Sequence, residues 1–482
     1  MNEISGFPNA TSRRKPRLET DLRKTVRFSI AEGIFAQMFA SLAGPGSIFL
    51  TKFAVLLQAT PFQFGLLSAI GQLSQLFQPL GAIFTRHLTS RKHMVIILSA
   101  IGRSLPLVWA LAAILSPPQH AIWFFLGAFL LSASLQAISG NAWIAWVSDS
   151  VPLRIRGRFF SWRTQYLLSA GLVIGLLAGS FLDLFKHEPG LLRSVFSKHT
   201  VINSIFQEHH LLTVFFGVNA LAVILGLYGL RILSFQPETP KPIEQIQWRD
   251  LIAIPIRDPN FRRLAIYGFW WMFVVGIGSP FWQPFMLRNL DMSLVEIQIY
   301  GLIAAIASLS VIRYWGYLID RFGNKAVMRI CILLGGINPL VWLFISRDSY
   351  GILYLEAASS GVMWGGAGIV ATNFVLAIAP ESQKQIYSGV WGAVNGIAMM
   401  MTMVLSGLFL PPPVKSAVIE LESEQILFGL TGILRWTTLI PLSWIVEKNS
   451  PPFGTATIFI LNFAKVRIIH LADWVLRRNG HE

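Results

Sequence analysis

A carboxylate in the middle of an apolar run is the first residue here that could do chemistry. Glu32 lies in Ser29-Ile30-Ala31-Glu32-Gly33-Ile34-Phe35. An acid withdrawn from water in this way can carry a proton or pair with a cation. Two interruptions of apolar runs come next, Gly44-Pro45-Gly46-Ser47 and Gly278-Ser279-Pro280. Proline removes a helix hydrogen bond, glycine gives the bend room, and such a matched pair of breaks marks the place where a solute crosses. A third group joins acid, base and glycine: Gly316-Tyr317-Leu318-Ile319-Asp320-Arg321-Phe322-Gly323-Asn324-Lys325. Other chemistries lack their residues. His209 and His210 have no further ligand nearby and read as solvated loop. Cys331 is the single cysteine, which excludes an internal disulfide and a cysteine metal site. No Walker motif and no nucleophile constellation is present. The expectation is a protein without catalytic residues, metal or cofactor.

The surrounding elements must be membrane helices. Of 482 residues, 54% are hydrophobic and 13% charged, against about a quarter charged in soluble proteins. The mean hydropathy is +0.57. The net charge of +15 is placed by position rather than by a nucleic-acid partner. Lys and Arg crowd the N-terminal tail and alternate loops, including Arg86, Arg91 and Lys92, then Arg154, Arg156 and Arg158, then Arg321, Lys325 and Arg329. The intervening loops are poorer, a positive-inside pattern that predicts both termini on the cytoplasmic side of the inner membrane. The first 27 residues hold no apolar core of a signal peptide, so no cleaved signal is expected.

Twelve spans of bilayer length are expected near 28–56, 62–86, 93–115, 121–147, 158–184, 211–234, 262–287, 293–319, 325–346, 350–379, 386–410 and 425–446. The predicted organisation is a basic tail (1–27), a six-helix bundle (28–235), a proline-broken cytoplasmic linker (236–261), a second six-helix bundle (262–446) and a tail (447–482). In the linker, Ile243–Ile256 reads as a short amphipathic surface piece; in the tail, Thr455–Phe463 is too short to span and reads as an interfacial helix. The halves repeat. An offset of 235 pairs Gly33 with Gly268, Pro45 with Pro280, Gly81 with Gly316 and Arg86 with Arg321. At 233, Pro106-Leu107-Val108-Trp109 falls on Pro339-Leu340-Val341-Trp342; at 232, Asn141 meets Asn373 and Gly157 meets Gly389. An ordered set of this kind is what a duplicated unit leaves.

The GxxxDRxGxK loop between spans, with its worn copy Gly81-Ala82-Ile83-Phe84-Thr85-Arg86 between the second and third spans, resembles the loop motif of the major facilitator superfamily. The stretches SIAEGIFA and RGRFFSWR are similar to a bacterial branch of it without assigned substrates. The resemblance covers residues 25–446. It implies an all-α polytopic fold of twelve transmembrane helices in two pseudo-symmetric six-helix bundles. It also implies secondary transport of a small solute by alternating access, with proton coupling as an option and a monomer in the lipid bilayer. In that family helices 1, 4, 7 and 10 line the cavity. The resemblance therefore nominates Glu32, Gln37, Gln136, Asn141, Tyr267, Trp271, Gln283, Trp364 and Asn373 as cavity candidates, and Gly44, Pro45, Gly46, Gly278 and Pro280 as gating kinks. Asp320 and Arg321, facing Arg156 and Arg158 at the start of helix 5, are the expected inner latch. Helix 5 lacks the family's antiporter Gly-Pro signature and helix 4 holds no arginine, which argues against drug–proton antiport. Arg103 and Arg435, on peripheral helices, read as packing or snorkelling residues, and Glu356 as a residue at a wetted helix end. Rival readings are a lipid or lipid-precursor flippase on the same fold and a non-transporting sensor or scaffold.

Overall fold

Glycine, proline and capping residues cut the apolar runs into helices. The structure, a computed structural model, describes residues 14–78, 90–185, 211–238, 255–380, 383–415 and 420–447. The helices are α1 (Arg14–Ala43), α2 (Ile48–Leu56), α3 (Pro61–Gln75), α4 (Arg91–Leu115), α5 (Pro118–Ser150), α6 (Leu153–Asp183), α7 (Leu211–Leu233), α8 (Pro259–Gly278), α9 (Trp282–Arg288), α10 (Leu294–Phe322), α11 (Asn324–Val341), α12 (Leu353–Ile378), α13 (Lys384–Leu408), α14 (Ser423–Thr437) and α15 (Leu439–Ser443). A two-residue hairpin pairs Val414–Lys415 with Glu420–Leu421. Eleven described segments are long and apolar enough to cross a membrane. The expected second span, 62–86, is described only as far as Gln78, where α3 supplies its first part. The motif copy at Gly81–Thr89, the loop with His209 and His210, most of the Ile243–Ile256 piece and the interfacial helix at Thr455–Phe463 lie outside the described residues, as do the side chains of Arg156 and Arg158.

Two compact units emerge. One comprises Met1–Gln245, Ser279–Ile299 and Met403–Phe409; the other comprises Ile246–Gly278, Tyr300–Thr402 and Leu410–Glu482. In the first, α4 packs on α5 and α7, and α1 on α6 and α7. In the second, α11 packs on α12 and α14, and α8 on α14. The pattern is the same, and individual contacts repeat within it. Arg103 of α4 donates Nη1–H to the Gly226 carbonyl of α7 at 2.8 Å, while Arg435 of α14 donates Nη1–H to the Gly335 carbonyl of α11 at 2.8 Å. The arginine has changed helix and the bond has stayed. Both arginines are buried, so they pack against backbone and do not snorkel. Trp109 donates to Asn219 at 3.1 Å between α4 and α7, and its repeat mate Trp342 meets Phe428 edge-on at 5.5 Å.

The helices that follow the loop motifs are capped alike. Glu238, just past α7, accepts from Ser90 Oγ at 2.6 Å and from the Lys92 backbone at 3.1 Å. Glu447, just past α15, accepts from the Asn324 and Lys325 backbones at 2.8 and 2.9 Å and from Asn324 Nδ2 at 2.9 Å. The N-cap of α11 is Gly323, at φ 84° and without a side chain, so the carboxylate supplies what the cap cannot. It also meets the positive end of the helix dipole. Glu447→Ala is expected to cost about 1–2 kcal/mol. Cys331 is fully buried, so its reaction with a thiol probe on heating reports unfolding of this unit; an unchanged midpoint would remove the cap from the account.

Candidate functional site

Helix 1 breaks where the glycines and proline stand. The α1 helix ends at Ala43, Gly46 takes φ 81°, and Ser47 restarts the chain as the N-cap of α2. Ser47 Oγ donates back to the Ser41 carbonyl at 2.6 Å and accepts from the Phe49 backbone at 3.3 Å. The matched break, Ser279–Phe281, separates α8 from α9. Within the first unit Gln283, on α9, spans the break in helix 1. Its Nε2 donates to the Gly46 carbonyl at 3.1 Å and its Oε1 accepts from Thr51 at 2.6 Å. Gln283 is therefore occupied by helix 1. Around it, Arg288 donates to the Ala59 carbonyl at 3.0 Å and lies over the Phe64 ring at 4.7 Å. Asp183, at the end of α6, accepts from the Leu294 and Val295 backbones at 2.9 and 3.0 Å and so caps α10. Glycines allow the same approach elsewhere: a Cβ on Gly175 would meet Gln298 at 2.8 Å, and one on Gly65 the Met403 carbonyl at 2.5 Å.

Glu32 stands in a cluster of charge. Its Oε1 accepts from Arg103 Nη2 at 2.8 Å. Its Oε2 lies 3.6 Å from Arg163 Nη2, an ion pair without the length of a hydrogen bond. Arg163 Nε donates to the Ser29 carbonyl at 3.2 Å, and its guanidinium lies 4.3 Å over the Trp143 ring. Arg103 is the middle residue of a 25-residue span, so it stands about 18 Å from either end. Gln37 is half-buried beside Gly171, and Gln136 donates to Ser132 Oγ at 3.2 Å. Asn141 is half-buried and has no hydrogen bond among the described residues.

In the second unit, Tyr267 and Trp271 are core residues, 3% and 4% exposed. Tyr267 packs edge-on to Phe374 at 6.2 Å. Trp271 lies 6.1 Å from Trp364, and the Arg435 guanidinium stands over both rings at 5.9 and 6.0 Å. Trp364 keeps an exposed face, and Asn373 is half-buried without a hydrogen bond among the described residues. Glu356, expected at a wetted end, is buried and accepts from Tyr300 at 2.7 Å. Arg313 of α10 is exposed and has no hydrogen bond or ion pair among the described residues. With Leu309, Ser310, Tyr314 and Tyr317 it lines a groove of ≈ 750 Å³. Asp320 is exposed and has no partner among the described residues, while Arg321 donates to Tyr317 at 2.7 Å.

Sequence reading did not single out Arg163, Asp183, Glu238 or Glu447 as functional. Arg163 was visible as a charge inside an expected span. Glu238 and Glu447 were visible as acids at the same point of the two repeats, 209 positions apart. Asp183 closes on a helix far away in the chain, and no local signal points to it.

Residues 264–414 match the family model of the Major Facilitator Superfamily. Solved structures that share the fold include three transporters. The nucleoside transporter NupG is 14% identical with a TM-score of 0.58, over 89% of this chain and 99% of that one. A POT family transporter in complex with a thioalcohol-conjugated peptide is 14% identical with a TM-score of 0.60, over 88% and 96%. A bacterial metal transporter is 13% identical with a TM-score of 0.55, over 89% and 98%. The bacillibactin exporter of Bacillus subtilis (strain 168) is 22% identical over 109 residues, 22% of this chain. The chain spans about a quarter (27%) of that relative's length. The chain thus shares a helical fold with solved transporters over nearly nine-tenths of its length, and its residues 264–414 are similar to the Major Facilitator Superfamily; with eleven described segments fit to cross a bilayer, it is a multi-pass membrane protein.

Proposed function

We propose that the protein is a secondary transporter that carries a small solute across the inner membrane by alternating access, as a monomer with both termini in the cytoplasm. The observation that carries this reading is the paired break of the first helix in each half, one break held shut by Gln283. A gate made of two side-chain hydrogen bonds, one arginine–carbonyl bond and one helix cap can open at modest cost, because each such bond contributes about 1 kcal/mol net. The positive-inside rule puts this gate on the outer face. Exposed Arg313 supports a wetted pathway, since charges within spans face protein or water rather than lipid. The inner latch of Asp320, Arg321, Arg156 and Arg158 belongs to the same proposal as the contact that forms when the outer gate opens.

Ala59 is buried at the gate. In a Cys331→Ser background, Ala59→Cys should react slowly with an impermeant maleimide added outside. Adding Asp183→Asn or Gln283→Ala should raise that rate severalfold. Equal rates in all variants would remove the gate. Uptake of a solute panel into proteoliposomes, with and without a pH gradient, separates a proton-coupled carrier from a facilitator; no uptake of any solute favours the sensor.

A further inference from the structure

Arg163 is one positive charge more than the cluster around Glu32 needs. Arg103 alone neutralises Glu32, through a 2.8 Å bond, and also ties α4 to α7 through the Gly226 carbonyl. A second guanidinium leaves the cluster with a net charge of +1 inside the membrane domain, an expensive arrangement for a purely structural role. Arg163 is also the loosest member: its side chain is 16% exposed, against 5% for Glu32.

The repeat supplies an internal control. At offset 232 Arg163 corresponds to Asn395, and at 235 Glu32 corresponds to Tyr267. The equivalent helices meet at the two positions, with Trp391 an added neighbour in the second. A Cβ on Gly33 would meet Arg163 at 2.7 Å, and a Cβ on the repeat mate Gly268 would meet Asn395 Oδ1 at 2.6 Å. The second unit thus builds the same helix contact, and keeps the same arginine-to-glycine carbonyl bond through Arg435, with neutral residues at both places. The fold does not require the charge that the first unit carries.

The polar groups left over around Arg163 can all donate. Ser29 Oγ, Trp143 Nε1 and Arg103 Nε are buried and have no hydrogen-bond partner among the described residues. Arg163 Nη1 has none there either. Donors in surplus, a net positive charge and a partly open guanidinium stacked on an indole suit an oxyanion, because guanidinium and carboxylate or phosphate match in charge and bond geometry.

We propose that Arg163, with Trp143 and Ser29 beside it, binds the oxyanion of a carboxylate- or phosphate-bearing solute, and that Glu32 competes with that oxyanion for Arg163. The proposal rests on the transport reading and narrows it to anionic solutes. Its test is a binding measurement that needs no transport. The full chain in phosphatidylcholine nanodiscs is heated with and without inorganic phosphate, glycerol 3-phosphate, succinate or benzoate. At least one anion should raise the unfolding midpoint, by about 3 °C at saturating concentration; glycerol should not. Arg163→Gln should abolish the shift while leaving the unliganded midpoint unchanged or higher, and Arg163→Lys should keep part of it. Glu32→Gln should tighten binding severalfold, which a purely structural ion pair would not do. The same shift on adding phosphatidylglycerol alone keeps the oxyanion site and assigns it to a headgroup. No Arg163-dependent shift with any of these probes overturns the proposal, as does an Arg163→Gln protein that unfolds as early as one lacking Arg103. If a neutral solute drives labelling at Ala59→Cys while no anion binds, the transport reading stands and the anion site falls. If an anion binds through Arg163 and the gate never moves, the reverse holds.

Discussion

Arg103→Leu is expected to destabilise the protein by about 3 kcal/mol, the loss of two hydrogen bonds of a buried cation that each contribute about 1.5 kcal/mol. One runs to Glu32 and one to the Gly226 carbonyl, both at 2.8 Å. The space for the side chain is specific: a Cβ on Gly226 would meet Arg103 Cδ at 3.0 Å, and one on Gly229 its Nη1 at 3.6 Å. Leucine fills part of that volume but returns neither bond. Arg163 remains to balance the Glu32 charge at 3.6 Å, which keeps the loss below that of a fully uncompensated carboxylate, about 3–5 kcal/mol. The measurement is a double-mutant cycle read by circular dichroism on heating. Glu32→Gln with Arg103→Leu should cost clearly less than the two single changes added together, because the first removes the charge that the second strands. Strict additivity would mean that the pair is not coupled, and the assignment of Arg103 as the structural partner of Glu32 would fail.

The same cluster shows what could be read before the fold was known. Glu32 stood out because an acid in an apolar run has no water to satisfy it. Its partners did not, because Arg103 and Arg163 lie 71 and 131 positions further on and only helix packing brings them together. The break at Pro45 was legible because proline and glycine act locally on the backbone. The Gln283 bonds that span it are not legible in the same way: a polar residue in a span suggests a solute contact as readily as a link to helix 1. Helices and their order were written in the apolar runs, and the duplication in the offsets at Gly33, Pro45 and Trp109. Only their helix nominates Tyr267 and Trp271 for a lining. Their burial depends on which face of α8 meets α14, and one helix sequence rich in aromatics on every side does not decide that. Glu356 departs from expectation for a related reason: nearness to a helix end suggests wetting, whereas Tyr300 covers its carboxylate.

Gly361→Ala is expected to be more damaging than its size suggests, costing more than about 3 kcal/mol, at the upper end for overpacking. In the second unit, α12 crosses α10 at this residue. A Cβ there would overlap the Ala304 carbonyl oxygen and lie 2.8 Å from its carbon and 2.9 Å from its Cα. One turn on, a Cβ at Gly365 would meet Ser308 Oγ at 2.8 Å. Small residues four apart on both helices, Gly361 and Gly365 against Ala304 and Ser308, let the backbones touch, and dispersion between them is what holds helices together where lipid offers no hydrophobic drive. The obstacle is backbone within a helix. It cannot rotate aside as a side chain can, so the helices must separate, and the Trp315 to Val362 carbonyl bond at 2.9 Å along the same seam is stretched with them. Alanine already supplies the offending atom, and valine adds two more. Gly368, seven residues on in the same helix, is the control, because a Cβ there meets nothing within 4 Å; alanine at that position should be neutral or, through helix propensity, stabilising by up to about 1 kcal/mol. Heating each variant while following the reaction of the buried Cys331 thiol reads the difference within this unit. Equal midpoints for Gly361→Ala and Gly368→Ala would mean that α10 and α12 are not held at the distance described.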